Sequence, residues 1–207
     1  MNKNDSFLKR NKKAFTLVEV VIVLAITVIV LAIMYEFLTE SKKAMVSNEV
    51  NSTLQGEADN IQSDLVKFGT QSKKILSING ATVDSGWLYS TKLDGDKQYN
   101  GDINNIQLEF YSVDGSPNVC EIRYDSTSKT LTLVEPTPET GTARTKVLST
   151  HVDKFKIKPL DAVSNAGGNL STTTGIQFVI ELKMKKGYSD VKCPVNVNVK
   201  FRNKDVV

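Results

Sequence analysis

The chain contains a single histidine, His151, which limits the catalytic and metal-binding chemistry that it could support. A Ser/His/Asp triad would depend entirely on this residue, with Asp153 two positions further along the same side of a strand. A solvated strand edge explains the same pair without any catalytic role. One histidine cannot form a His-pair zinc site, and no Gly-rich phosphate loop precedes a predicted helix. The sequence therefore predicts a protein that is not an enzyme and needs no cofactor.

A short polar segment carries the oxygen ligands that calcium would require. These residues are Asp94, Asp96, Asn100 and Asp102. The spacing does not fit an EF-hand loop, because Tyr99 stands where the sharp turn needs Gly and Asn105 stands where the bidentate Glu should be. A polar surface turn is therefore the favoured interpretation, with a calcium site as the alternative and no other metal site expected.

The two cysteines, Cys120 and Cys193, each alternate in phase with apolar residues and are expected to point into the core. A disulfide between them is permitted outside the cytoplasm. Two buried free thiols are the alternative, because cysteine is a common small core residue. The sequence does not supply the Cα spacing that a disulfide requires, so both alternatives stay open.

Glu19 is the only charged residue in the apolar run from Phe15 to Tyr35. This run of 21 residues is long enough for a membrane-spanning helix, which needs about 20. A carboxylate inside the bilayer costs roughly 3 kcal/mol and usually has a function. Proximity to the cytoplasmic interface, where the carboxylate would stay hydrated, is the alternative explanation.

Basic charge is concentrated before the apolar run. The net charge of the whole chain is +3, but residues 1–14 carry +4, so that residues 15–207 carry −1. This asymmetry predicts an N-terminus in the cytoplasm and a C-terminal region outside. Because a nucleic-acid-binding protein needs its basic charge on a folded face, we expect no direct nucleic-acid partner. A cleaved secretory signal is disfavoured, because the run is too long and Lys42 stands two positions before Ala44.

Residues 12–20, Lys-Lys-Ala-Phe-Thr-Leu-Val-Glu-Val, resemble the cleavage and methylation motif of type IV prepilins and type II secretion pseudopilins. The resemblance implies that prepilin peptidase cuts between Ala14 and Phe15 and that the new amine of Phe15 is methylated. Glu19 would then be the fifth residue of the mature chain, where the family carries its assembly glutamate. Ala14 departs from the family pattern, in which Gly is more common.

The same resemblance implies a chemical role for Glu19 and a set of partners. In a filament, the Glu19 carboxylate would pair with the Phe15 amine of a neighbouring subunit, and such a pair is costly to leave half made in an apolar core. The implied partners are membrane lipid before assembly, prepilin peptidase, and other major and minor pilins. The precursor would be a single-pass protein of the cytoplasmic membrane, and the mature chain would enter an extracellular or periplasmic filament.

Helical periodicity continues beyond the apolar run. Apolar residues recur at steps of three and four at Val46, Val50, Leu54, Ala58, Ile61, Leu65 and Phe68. The pattern predicts one helix from Phe15 to Phe68 with Gly69 as the stop signal. Strict heptads are not sustained, so a separate coiled-coil stalk is disfavoured.

The remainder of the sequence reads as antiparallel sheet. Alternating runs predict strands at Ile106–Val113, Val119–Asp125, Lys129–Glu135, Val152–Lys158, Ile176–Lys185 and Val191–Phe201. Pro194 places the last strand at a sheet edge or a bulge. We therefore expect an α+β, pilin-like fold in which a long N-terminal helix packs on a C-terminal sheet. The expected domains are a leader (1–14), a spine helix (15–70) and a β-rich head (71–207).

A second resemblance bears on the type of subunit. The segment Leu148–Lys158 contains a Val-x-x-Phe strand that is similar to one in J-type minor pseudopilins and related minor pilins. It favours a minor subunit of a type IV pilus or a type II secretion-like filament. The alternatives are a major pilin and a single-pass adhesin or binding module on the cell surface. The motif at residues 12–20 favours the filament subunit, because an ordinary anchor does not need a Glu near a processed end.

Overall fold

The computed structural model describes residues 16–83, 88–89, 98–99, 103–111, 117–135, 143–161 and 170–202. One helix, α1 (Leu17–Gln71), precedes eleven strands in this part of the chain. The strands are β1 (Ser72–Ile78), β2 (Ala81–Thr82), β3 (Leu88–Tyr89), β4 (Gln98–Tyr99), β5 (Asn105–Tyr111), β6 (Pro117–Asp125), β7 (Thr130–Glu135), β8 (Arg144–Ser149), β9 (Val152–Pro159), β10 (Gly175–Lys186) and β11 (Ser189–Lys200). The predicted α+β class, with a long N-terminal helix packed on antiparallel sheets, is confirmed.

The C-terminal half of α1 packs through the apolar stripe that the sequence predicts. Its buried large side chains are Val50, Leu54, Ile61, Leu65 and Phe68, while Val46 and Ala58 are partly buried against the same core. Burying a side chain of this size contributes about 1.5–3 kcal/mol relative to exposure. The stripe therefore holds this half of the helix on the sheets.

The helix ends later than predicted, at Gln71 rather than at Phe68. Gly69 is not the stop residue, because the helix continues for two residues beyond it. A Cβ at this position would lie 2.5 Å from Val199 Cγ1. The last turn is satisfied instead by polar groups beyond it: Ser72 Oγ donates to the carbonyl of Phe68 at 2.8 Å. The glycine is therefore required for close packing on β11.

Two antiparallel sheets supply the rest of the core. The first has six strands in the order β2-β1-β5-β6-β7-β8, and the second has three in the order β11-β10-β9. The short β3 and β4 pair in parallel. All six predicted strands are present, whereas the sequence did not predict β1, β8 or the two-residue strands β2, β3 and β4. Phe155 of β9 and Phe178 of β10 stack at 6.2 Å between ring centroids, and Tyr124 of β6 meets Phe155 edge-on.

The strand β11 lies at the edge of the three-stranded sheet, as Pro194 predicts. It joins β10 through a two-residue turn in which Gly187 has a positive φ of 58°. Lys186 and Ser189 close this hairpin as Cα partners. Because two-residue hairpin turns require positive φ, glycine is favoured at this position.

By its internal contacts, the chain divides into two compact units, Met1–Met45 and Val46–Val207. The boundary lies within α1, so the apolar run and the stripe belong to different units. The domain limits at 14/15 and 70/71, which follow from processing and from the helix end, remain predictions.

Candidate membrane and assembly segment

Thr16 caps the N-terminus of α1 and brings Glu19 into the first helical turn. The amide of Glu19 donates to Thr16 Oγ1 at 3.3 Å, and the amide of Val20 donates to the Thr16 carbonyl at 3.3 Å. Threonine at the N-cap followed by glutamate three residues later is the spacing of a capping box. No role for Thr16 was predicted from the sequence, although the Thr-x-x-Glu pattern is the signal that could have indicated it.

The carboxylate of Glu19 is exposed and lies where the helix dipole favours a negative charge. This position gives the residue a favourable local environment within its own chain. The exposed side chain is accessible to a group outside its own helix.

Every large apolar side chain from Leu17 to Leu38 is exposed. An apolar surface of this extent on a soluble helix would associate or aggregate. The helix is long enough and apolar enough to cross a membrane by length and composition. The segment is therefore consistent with a membrane-anchored precursor.

Two threonines in this part of α1 satisfy their hydroxyl groups within the helix. Thr27 Oγ1 donates to the carbonyl of Val23 at 2.7 Å, and Thr39 Oγ1 donates to the carbonyl of Tyr35 at 2.8 Å. In lipid, where water cannot serve as a partner, such bonds remove the cost of a lone hydroxyl.

Several predicted site residues lie outside the described residues. Ala14 and Phe15, the predicted cleavage pair, precede the first described position, Thr16. The calcium candidates Asp94, Asp96, Asn100 and Asp102 fall in the gaps around β4. Within the described ranges, no group of three His, Cys, Asp or Glu side chains could hold a metal ion.

His151 lies beside α1 and contacts a residue that the sequence analysis did not identify. Its Nδ1 is 2.8 Å from Glu57 Oε1. Ser149 Oγ donates to the other oxygen of Glu57 at 2.6 Å and accepts from the amide of His151 at 3.0 Å. The carboxylate thus binds both side chains at the junction of β8 and β9.

This arrangement is not a Ser/His/Asp triad. In a triad the imidazole lies between the hydroxyl and the carboxylate, whereas here Glu57 lies between Ser149 and His151. Asp153, the other candidate, accepts from Lys129 Nζ at 3.2 Å. The cluster instead fastens α1 to the sheets.

Two further polar contacts join α1 to the sheets on either side of Glu57. Lys186 Nζ of β10 lies 2.6 Å from Glu49, and Lys146 Nζ of β8 lies 2.7 Å from Asp64. Exposed ion pairs of this kind contribute about 1 kcal/mol or less each. They fix the register of the helix on the sheets more than they stabilise the fold.

The cysteines lie on different sheets and are free thiols in the structure. Cys120 is buried on β6, and Cys193 is partly exposed on β11. Burial raises the pKa of the Cys120 thiol to about 12, with the negative charges of Glu135 and Glu121 adding to the shift. Of the two alternatives, the structure contains the free thiols.

The comparison with known families gives a match near the N-terminus of the chain. Residues 9–35 match a family model described as the prokaryotic N-terminal methylation motif. No curated protein and no solved structure matches the chain. The matched residues contain Ala14, Phe15 and Glu19, so the motif implies processing by prepilin peptidase and assembly with other pilins. It supports a type IV pilin-like precursor and points to a structural pilin and not to an enzyme.

Proposed function

We propose that the chain is a structural subunit of a type IV pilus or type II secretion-like filament, inserted as a membrane precursor and cleaved between Ala14 and Phe15. The match over residues 9–35 carries this proposal. The exposed apolar surface of α1 from Leu17 to Leu38 supports it, because that surface needs lipid before assembly and neighbouring helices afterwards.

Glu19 provides the ion pair that links membrane insertion of the precursor to assembly of the filament. Cleavage creates a cationic amine at Phe15, and methylation leaves that amine cationic. A carboxylate and an ammonium group that are both removed from water are stabilised by pairing with one another. Leaving either charge unpaired in the filament core costs about 3–5 kcal/mol. Glu19 of one subunit therefore pairs with Phe15 of the next and fixes their axial register.

A minor subunit is the form of this proposal that we favour, and a major pilin is the second candidate. The Val-x-x-Phe strand is β9, in which Val152 and Phe155 are both buried. Similarity of this strand to J-type minor pilins supports a minor role. A surface adhesin is also compatible with one membrane helix, but it leaves the methylation motif without a use.

Substitution of Glu19 tests the charge pair separately from the helix cap. Glu19→Val removes both the charge and the capping-box side chain, whereas Glu19→Gln removes the charge and retains a residue that capping boxes accept. We expect both variants to insert into the membrane and both to be lost from sheared filaments, as measured by quantitative mass spectrometry of membrane and filament fractions.

Glu36→Gln is the matched control, because Glu36 is an exposed carboxylate on the same helix and the change in charge is identical. This variant should assemble as the wild type does. Normal assembly of Glu19→Gln would show that Glu19 acts through the cap and would remove the charge pair from the mechanism. Peptide abundance in the same filaments distinguishes a minor subunit from a major one.

A further inference from the structure

Thr16 meets both geometric conditions for an N-cap residue at the start of α1. Its carbonyl accepts a hydrogen bond from the amide of Val20 at 3.3 Å, and its side-chain Oγ1 accepts one from the amide of Glu19 at 3.3 Å. The first helical residue is Leu17, so Thr16 stands just outside the helix. The cap therefore satisfies one of the amides that a helix start leaves without an intrahelical partner.

A second, independent observation concerns the sequence that precedes this cap. The residues that match the N-terminal methylation motif include Ala14 and Phe15, so Phe15 alone separates the proposed cleavage bond from Thr16. Residues 12–15 are Lys-Lys-Ala-Phe, which includes three strong helix formers and none of the residue types preferred at an N-cap. The nearest preferred N-cap residue before Thr16 is Asn11. Without the cap at Thr16, helix propensity would therefore favour extension of α1 across the cleavage bond.

We propose that Thr16 is a positioning residue for the cleavage reaction, because its cap stops α1 before the helix can include the bond between Ala14 and Phe15. The inference rests on the proposed function, in which prepilin peptidase cuts this bond. The role requires no contact between Thr16 and the reacting atoms. Thr16 acts through the backbone, by setting the residue at which the helix begins.

Extension of α1 by a few residues would engage the carbonyl groups on both sides of the cleavage bond. In a helix each amide donates to the carbonyl four residues earlier, so the amide of Val18 would bond to the carbonyl of Ala14. The amide of Glu19 would bond to the carbonyl of Phe15 in the same way. A protease must reach the carbonyl carbon of Ala14, so these bonds would have to open first. When opening is fast, the rate of cleavage follows the population of the open form, which the cap keeps high.

Direct recognition of the Thr16 hydroxyl by the peptidase is the competing explanation for a threonine at this position. Thr16 is exposed, but its Oγ1 already accepts from the amide of Glu19. The two explanations differ in the substitutions that they tolerate. An N-cap accepts asparagine and glycine as well as serine, whereas a pocket that binds a hydroxyl group accepts serine only.

Cleavage of the purified full-length chain tests the proposal. The chain is inserted into nanodiscs and mixed with purified prepilin peptidase, and mass spectrometry follows the fraction that begins at Phe15. Thr16→Val removes the hydroxyl group and keeps the branched shape, whereas Thr16→Ala introduces a strong helix former. We expect both variants to be cleaved about fivefold more slowly than the wild type, which is the factor that loss of one helix cap produces in a local equilibrium. Thr16→Asn and Thr16→Gly should be cleaved at close to the wild-type rate, because both residues are accepted at an N-cap.

Thr27→Val is the matched control, because it removes the same hydroxyl group from the same helix. Thr27 Oγ1 donates to the carbonyl of Val23 inside α1 and is not at a helix end, so this variant should be cleaved at the wild-type rate. Hydrogen exchange of the Glu19 amide in the uncleaved chain gives a structural measurement. Exchange should slow in Thr16→Val, because an extended helix gives this amide a backbone partner in place of Thr16 Oγ1. Faster exchange would mean that the helix start frays instead of extending, and would overturn the proposal.

Equal cleavage rates for the wild type, Thr16→Val and Thr16→Ala would also overturn the proposal. So would slow cleavage of Thr16→Asn and Thr16→Gly, because the peptidase would then recognise the hydroxyl group directly. These outcomes leave the proposed function intact, since the wild-type chain is still cut before Phe15. A wild-type chain that the peptidase does not cut between Ala14 and Phe15 would instead overturn the proposed function, and this inference with it.

Discussion

At the scale of single residues, the two cysteines differ in environment and should differ in reactivity. Cys120 is buried with its pKa raised to about 12, whereas Cys193 is partly exposed. The thiolate is the reactive form, so at pH 8 only Cys193 should react with a thiol reagent in the folded chain. Unfolding without reductant should expose two thiols per chain. A thiol count near zero after unfolding would mean that the cysteines form a disulfide instead.

Cys193→Ser is the control for this assignment. The variant should lose the thiol signal of the folded chain and keep one thiol after unfolding. Rapid labelling of the folded Cys193→Ser variant would contradict the burial of Cys120 and the high pKa of its thiol.

The residues of the candidate site differ in how far the sequence could identify them. Glu19 could be selected as a candidate because it is a lone charge in an apolar run beside a specific motif, and its role in assembly stays a prediction. Glu57 could not, because the residues that it contacts, Ser149 and His151, are 92 and 94 positions away and no local pattern connects them. The sequence shows that His151 is the single histidine, but it does not show which residue His151 contacts. Only the fold shows that this residue is Glu57 and that the arrangement is not a triad.

At the scale of elements, the two glycines of α1 should respond in opposite ways to alanine. Gly56 has open space where a Cβ would be, so Gly56→Ala should stabilise the fold by about 1 kcal/mol through helix propensity. At Gly69 a Cβ would meet Val199, so Gly69→Ala should destabilise it by about 1–3 kcal/mol. Thermal unfolding of the full chain in detergent measures both, at about 2–4 °C per kcal/mol.

A double-mutant cycle assigns the Gly69 effect to its contact. In a Val199→Ala background the clashing methyl groups are gone, so Gly69→Ala should cost much less than in the wild type. An equal cost in both backgrounds would mean that the helix and β11 do not meet at this glycine.

Elements with a regular pattern could be predicted from sequence, and those without one could not. The alternation of Val195, Val197 and Val199 predicted β11, and Pro194 predicted its edge position. The strand β8 lacks alternation because its first four residues are exposed. The helix end was misplaced because glycine was interpreted as a stop signal, whereas its function is to allow close packing.

At the scale of the whole molecule, the chain separates an apolar unit from a unit with its own core. In the first unit, Met1–Met45, the large apolar side chains of the described residues 16–45 are exposed, whereas the second unit, Val46–Val207, has a buried apolar core between α1 and the sheets. The α+β class could be predicted because the sequence changes from a continuous apolar run to segments with helical and then strand periodicity. The surfaces of the second unit could not, because strand register decides which side chains share one side of a sheet, and neither the local sequence pattern nor the net charge shows that register.

The first residue of the assembled chain is the most direct measurement of the central claim, that this is a prepilin-type precursor processed for filament assembly. Sheared filaments are separated from membranes, and the N-terminal peptide is sequenced by tandem mass spectrometry. We expect a chain that begins at Phe15 with a methyl group on its amine, because residues 9–35 carry the methylation motif. A filament-borne chain that still begins at Met1, or one that begins beyond Tyr35, would contradict it.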